Sequence, residues 1–298
     1  MKKIIFVLLA SALIFSLLAC SKPAVSPGDT SANSTPGNSD LPPTTVTLTF
    51  NGTQMTASDP NAGITVDGTA FVITRGGTYT LQGDLSNGQI RVSVGKEADV
   101  ELIFNNFTAS SITSAPIYIE SANKAVIYLA AGTVNSLTDA TQYQFPSPTV
   151  DKPNACIYSA DDLTIKGSGT LNVNGSFNNG IGCKNDLRIK ECTLNVSAPN
   201  NILKGNDSVE IESATVNLTG GEDAIKADTT DRVDKGYILI AGGSTVTLQC
   251  SDDALQATVA ITVEGGSTVT GTCGGDPMNC PGTIYADENT VQISPSAQ

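Results

Sequence analysis

Thr170-Leu171-Asn172-Val173 returns as Thr193-Leu194-Asn195-Val196, then as Thr215-Val216-Asn217-Leu218 and as Thr245-Val246-Thr247-Leu248. Polar and apolar residues alternate in each tetrapeptide, which is the period of a strand with one face buried. Each is preceded by a second alternating run: Leu163/Ile165, Leu187/Ile189, Val209/Ile211 and, after a longer gap, Ile238/Ile240. A further apolar mark opens each repeat: Ile157, Ile181, Leu203 and Ile225, at intervals of 24, 22 and 22 residues. Three short strand-like runs per repeat, separated by Gly, Asn, Asp and Ser, predict a solenoid of triangular section. In such a fold, function is read down columns of stacked side chains rather than along the chain.

The pattern extends in both directions. Upstream lie Ile90-Arg91-Val92, Val100-Glu101-Leu102, Ile117 and Val126-Ile127-Tyr128-Leu129. One repeat carries an insertion at about residues 138–153, rich in proline (Pro146, Pro148, Pro153). Downstream, Leu255, Ile261/Val263 and Val269 form another repeat, and Ile284 is read as opening a last, incomplete one with Val291/Ile293. The expected fold is all-β, a parallel β-helix of about seven or eight coils, with the segment from Val46 to Thr80 as an N-terminal cap. A hairpin-built barrel is excluded because no Asn-Gly or Asp-Gly pair recurs at the same place in every repeat.

The N-terminus reads as a targeting signal. Lys2 and Lys3 precede an apolar run from Ile4 to Leu18, then Ala19-Cys20, which is the layout of an export signal over residues 1–19. The ending Leu17-Leu18-Ala19-Cys20 resembles a bacterial lipobox, which implies cleavage before Cys20 and a lipid on its sulfur. Residues 20–45 are rich in Ser, Pro, Gly, Asn and Thr and form the expected flexible tether. Residues 46–298 form one domain. The expected location is the bacterial cell surface, as an exported, membrane-anchored lipoprotein, with a monomer as the expected state.

The chain carries a net charge of −13. Removing Lys2 and Lys3 with the signal leaves 14 basic residues against 29 acidic, a net −15. A nucleic-acid binder is excluded, since its footprint is basic. There is no His, so histidine acid–base catalysis and His-ligated zinc are excluded too. Six cysteines follow Cys20. The repeat alignment stacks Cys250 on Cys273, within disulfide reach. Cys273 and Cys280 are rivals for the same bond, while Cys156, Cys183 and Cys192 read as buried thiols.

Two columns carry candidate chemistry. Two residues before the opening apolar mark stand Ala155, Asn179, Asn201, Asp223 and Asp253; just after it stand Tyr158, Gly182, Lys204, Lys226 and Gln256, with Tyr285 joining if Ile284 is the next member. The first column turns acidic toward the C-terminal repeats. Glu222, Asp223, Asp228, Asp252 and Asp253 are the candidate ligands there, as hard carboxylate oxygens suit Ca²⁺ and like charges stacked one strand apart need a counter-ion. Asp and Asn are also ordinary turn residues, which explains such a column without any ion. Tyr158, Asn179, Asn201, Lys204 and Lys226 form a flat polar face suited to an extended polysaccharide, especially one bearing carboxylates.

Five further stretches carry a family likeness: 77–83, Gly-Thr-Tyr-Thr-Leu-Gln-Gly; 132–139, Gly-Thr-Val-Asn-Ser-Leu-Thr-Asp; 162–171, Asp-Leu-Thr-Ile-Lys-Gly-Ser-Gly-Thr-Leu; Asp223-Ala224-Ile225-Lys226-Ala227; and 236–243, Gly-Tyr-Ile-Leu-Ile-Ala-Gly-Gly. Together they resemble the secreted clostridial carbohydrate-binding β-helix proteins, which bind cellulose and polygalacturonate and share the pectate-lyase fold. The resemblance implies a right-handed parallel β-helix, bound calcium, and binding of acidic or cellulosic polysaccharide. The family's acidic turn before an Ile-Lys pair is matched at Asp223-Ala224-Ile225-Lys226. Gln256 replaces the Lys one repeat later, and Asn201 replaces the Asp one repeat earlier.

Three functions compete: a calcium-dependent surface module for polysaccharide, a calcium-dependent polysaccharide lyase with Lys226 as base, and a structural or adhesive surface protein. The lyase needs a neutral amine, which neighbouring carboxylates disfavour.

Overall fold

The computed structural model describes residues 44–145, 153–286 and 289–296; the proposed signal, Cys20 and nearly all of the tether lie outside them. The first strand among the described residues is Thr44–Gly52, which opens two residues before the expected domain start.

From residue 117 onward the strands fall into three parallel ladders, each strand pairing with its counterpart in the next repeat. The first ladder contains Ile117–Ser121, Ala155–Ser159, Asn179–Cys183, Leu203–Gly205, Ile225–Ala227, Leu255–Ala257 and Met278–Asn279. The second runs from Ala125–Leu129 through Leu163–Lys166, Asp186–Lys190, Ser208–Glu212, Tyr237–Ala241 and Ala260–Val263 to Thr283–Tyr285. The third runs from Val134–Thr138 through Thr170–Asn174, Thr193–Ala198, Thr215–Gly220, Thr245–Gln249 and Thr268–Cys273 to Val291–Pro295. This is the pairing of a solenoid-like all-β fold.

The registers match the periodicity. Ile157 pairs with Ile181, Ile181 with Leu203, Leu203 with Ile225 and Ile225 with Leu255. Leu171 pairs with Leu194 and Leu194 with Val216. These inward columns are fully buried, and each such side chain contributes roughly 1.5–3 kcal/mol through removal from water. Register is strongly specified here, because a slip of one residue would expose a whole apolar column.

The expected cap segment contains two antiparallel hairpins. Thr44–Gly52 pairs with Gln54–Ala57, and Ile64–Asp67 with Ala70–Ile73. Thr44–Gly52 and Ala70–Ile73 also pair in parallel with the strands Gly77–Leu85 and Gln89–Ser93. Phe50, Phe104 and Phe107 pack together near this end, with ring centroids 5.2–5.3 Å apart.

Two expectations are corrected. Ile284 pairs with Ile261 in the second ladder, and the first-ladder partner of Leu255 is Met278. Tyr285 therefore leaves the column of Tyr158, Lys204 and Lys226, and Asn279 takes the place beside Gln256. The two-residue strand Met278–Asn279 is too short to show an alternating signature. The second correction concerns the thiols: all six described cysteines are free. Cys250 and Cys273 follow the paired residues Gln249 and Thr272, yet each Sγ donates to a nearby carbonyl instead, Cys250 to Asp253 O at 3.4 Å and Cys273 to Gly275 O at 3.3 Å.

Replacing Leu203 by Ala is expected to lower the unfolding free energy in urea by about 2–5 kcal/mol. Thr247→Ala, on the exposed side of the third ladder, is expected to change it by less than about 1 kcal/mol.

Candidate functional site

From residue 174 onward the chain turns from the third ladder into the first through a short corner that repeats from coil to coil; in the coil before, the connection carries the expected insertion, of which residues 146–152 lie outside the described residues. Its backbone is itself laddered: Asn200 N donates to Asn178 O, Glu222 N to Asn200 O, Asp252 N to Glu222 O and Gly275 N to Asp252 O, at 2.9–3.0 Å. Corner side chains two dozen residues apart therefore stack. Gly221 makes the turn possible at one point: its φ is +73°, and a Cβ there would lie 2.3 Å from the Asn200 carbonyl oxygen.

In the earlier coils the corner is made of amides. Asn200 donates to Asn178 Oδ1 at 2.8 Å, and Asn201 donates to Asn179 Oδ1 through both its backbone N (3.1 Å) and its Nδ2 (3.0 Å). In the later coils the same positions hold Glu222, Asp223, Asp252 and Asp253. An amide can donate to the amide below it; an ionised carboxylate cannot donate to another. The carboxylates recruit other donors. Asp223 Oδ1 accepts from Asp253 N at 3.2 Å, and Asp223 Oδ2 from Lys226 Nζ at 2.9 Å. Asp253 Oδ1 accepts from Asp276 N at 2.8 Å, and its Oδ2 from Asn279 Nδ2 at 2.6 Å and Gln256 Nε2 at 3.3 Å.

Asp223, Asp252 and Asp253 each bring a carboxylate oxygen within 4.8 Å of the others. Asp223 and Asp253 are buried and Asp252 is exposed. The Asp252 carboxyl is raised above the usual carboxylate range by desolvation first, then by the charges of Asp253, Asp223 and Glu222, against the opposing pull of Lys226. Asn201, buried one coil earlier in the same column, keeps its Oδ1 without a hydrogen-bond partner. A buried acceptor without a donor is unusual, and a neutral amide oxygen one position along the column from Asp223 is of the donor type that a cation such as calcium takes.

The other predicted residues fall as follows. Glu222 is exposed beside the three carboxylates. Asp228 stands apart from them, at the far end of its strand, where it accepts from Lys204 Nζ at 2.8 Å. Lys204 and Lys226 stack in register and are half-buried. Tyr158 also lies in that column, but it is only 5% exposed and packs on Tyr118 with ring centroids 5.8 Å apart, so its ring offers little face to a sugar. Asn179 and Asn201 are buried and act through the amide ladder. Sequence reading missed Asp276 and Asn279. The signal was present: Asp276-Pro277-Met278-Asn279 copies the order acid, spacer, apolar, polar of Asp223-Ala224-Ile225-Lys226 and Asp253-Ala254-Leu255-Gln256.

The chain belongs to the family of carbohydrate-binding domain-containing proteins, whose pattern matches residues 67–297. A carbohydrate-binding domain-containing protein of Acetivibrio thermocellus is 45% identical over 201 residues, covering 67% of this chain and 70% of the relative. A solved structure, described as a polysaccharide lyase-like protein from C. thermocellum in a gadolinium derivative, superposes with a TM-score of 0.80 at 39% identity; the match covers 84% of this chain and all of that one.

Lys226→Met removes a donor from the buried Asp223 carboxylate and is expected to cost about 1–3 kcal/mol in urea unfolding. Adding Asp223→Asn is expected to restore part of that loss, read as a coupling energy in a double-mutant cycle.

Proposed function

We propose that this protein is a calcium-dependent polysaccharide-binding module, displayed at the bacterial surface on a lipidated Cys20 and the tether that follows. Its body is a right-handed parallel β-helix of seven or eight coils, capped by the N-terminal hairpins. Right-handed crossovers are the rule for parallel strands joined in one sheet. The observation that carries the proposal is the convergence of Asp223, Asp252 and Asp253, next to the face bearing Lys204 and Lys226. The orphaned Asn201 Oδ1 adds a neutral oxygen to the same column. Asp223, Asp252 and Asp253 would hold the ion, with Glu222 at the rim; bound there, it would supply positive charge to draw in uronate carboxylates. The half-buried ammonium groups of Lys204 and Lys226 would orient an acidic chain along the face.

A lyase is the second reading, favoured by the description of the solved relative as polysaccharide lyase-like. The base it requires, Lys226, is engaged with Asp223 at 2.9 Å, which weakens that reading. A structural or adhesive role without a defined glycan is the third.

The mature domain is expected to be retarded in gels containing polygalacturonate and calcium, and to migrate freely when EDTA is added. Asp253→Asn is expected to weaken calcium binding about tenfold or more, while Asp228→Asn leaves it within a few-fold. Free migration with calcium present would defeat the proposal. A gain in unsaturated-uronide absorbance at alkaline pH would establish the lyase instead.

A further inference from the structure

The third ladder carries a groove of about 400 Å³ that is separate from the carboxylate cluster. Two rows of outward side chains form its walls. One contains Ser136, Asn172, Asn195 and Asn217, in register on four successive strands. The other, two residues further along each strand, includes Asn174 and Ser197. Alternation turns the intervening residues inward, so the floor between the rows is backbone. The rows stand roughly 7 Å apart across the strands and repeat about every 4.8 Å along the axis.

The amides are aligned by one another. Asn217 Nδ2 donates to Asn195 Oδ1 and Asn195 Nδ2 to Asn172 Oδ1, both at 2.8 Å, and Ser197 Oγ donates to Asn174 Oδ1 at 2.9 Å. Each amide has two N–H groups and two acceptor positions. The ladder engages one of each at Asn195, which leaves a donor and an acceptor on a side chain whose orientation is already set. Pre-aligned groups lose little entropy on binding.

The lining is unusual for this chain. In a protein of net charge −13, no acidic, basic or aromatic residue is among the described residues that line this groove. An anionic polymer would find no cation here, and an apolar ligand no apolar wall beyond the strand floor. Paired donor and acceptor groups repeating at the coil spacing match hydroxyls on a chain whose units advance by a similar distance. An extended β-linked pyranose polymer does so.

We infer that this amide groove binds an uncharged, extended polysaccharide edge-on through its hydroxyls, without a metal ion. The inference rests on the carbohydrate-binding part of the reading above and is independent of its calcium part.

The test is affinity electrophoresis of the mature domain in gels containing hydroxyethylcellulose, with and without EDTA, beside a polygalacturonate gel containing calcium. The wild-type domain should be retarded by the neutral glucan equally in both conditions. Asn172→Ala with Asn195→Ala should weaken that retardation about tenfold or more, the loss of two or so ligand hydrogen bonds, and leave the polygalacturonate result unchanged. Asn195→Thr keeps a strand-favouring residue, the type found two coils on at Thr247, and should weaken it several-fold even if the double variant fails to fold. No retardation of the wild-type domain by the neutral glucan, abolition by EDTA, or unchanged retardation of both variants would overturn the inference. Loss of the polygalacturonate arm alone strikes the calcium reading and leaves the groove standing.

Discussion

Parallel pairing in strict register is the constraint on which the rest of the molecule depends. Backbone hydrogen bonds join residues about two dozen positions apart, so every outward position becomes a column of side chains at strand spacing. Apolar columns are satisfied at once: Ile157, Ile181, Leu203, Ile225 and Leu255 simply stack and exclude water. Polar columns are not, because whatever stands at one position must tolerate a near copy of itself above and below.

The chain meets that demand in two ways. Asn tolerates stacking because its amide both donates and accepts, and two such ladders arise from the same geometry: Asn178 on Asn200 at the corner, and Asn172, Asn195 and Asn217 on the third ladder. Asp and Glu do not tolerate it. Where the corner changes from amide to acid at Glu222-Asp223, new side-chain donors enter, Lys226, Gln256 and Asn279, beside the backbone N–H of the following coil that the amides also use. Asp252, exposed beside them, has its carboxyl raised by desolvation first and then by the charges of Asp253, Asp223 and Glu222, with Lys226 opposing. The transition from neutral to acidic corner therefore marks where the solenoid wall gathers negative charge.

The same logic divides the surface by charge. The acidic corner and the lysines beside it carry charged side chains, and the amide groove on the earlier coils is lined by neutral polar ones. Both lie on regular strands or on the laddered turns between them, so their spacing is held by the backbone rather than by mobile loops.

Much of this was legible in the chain alone. Alternation within four-residue runs and their return about every 22 residues define the strands, the inward columns and the pairing partners, since only one register buries every apolar residue. The stacking of Asp223 on Asp253 follows from the same count. What the sequence left open depends on contacts across coils or between side chains. Met278 rather than Ile284 continues the first ladder; its two-residue strand shows no alternation, and only the acid, spacer, apolar, polar order of Asp276-Pro277-Met278-Asn279 marked it. Asp228 and the acidic corner look equivalent in composition, yet the strand between them places Asp228 against Lys204. Tyr158 faces outward by alternation, but Tyr118 one coil earlier covers its ring. Alternation determines which wall a residue occupies; which neighbour it meets there, and whether water reaches it, was decided only when the coils were stacked.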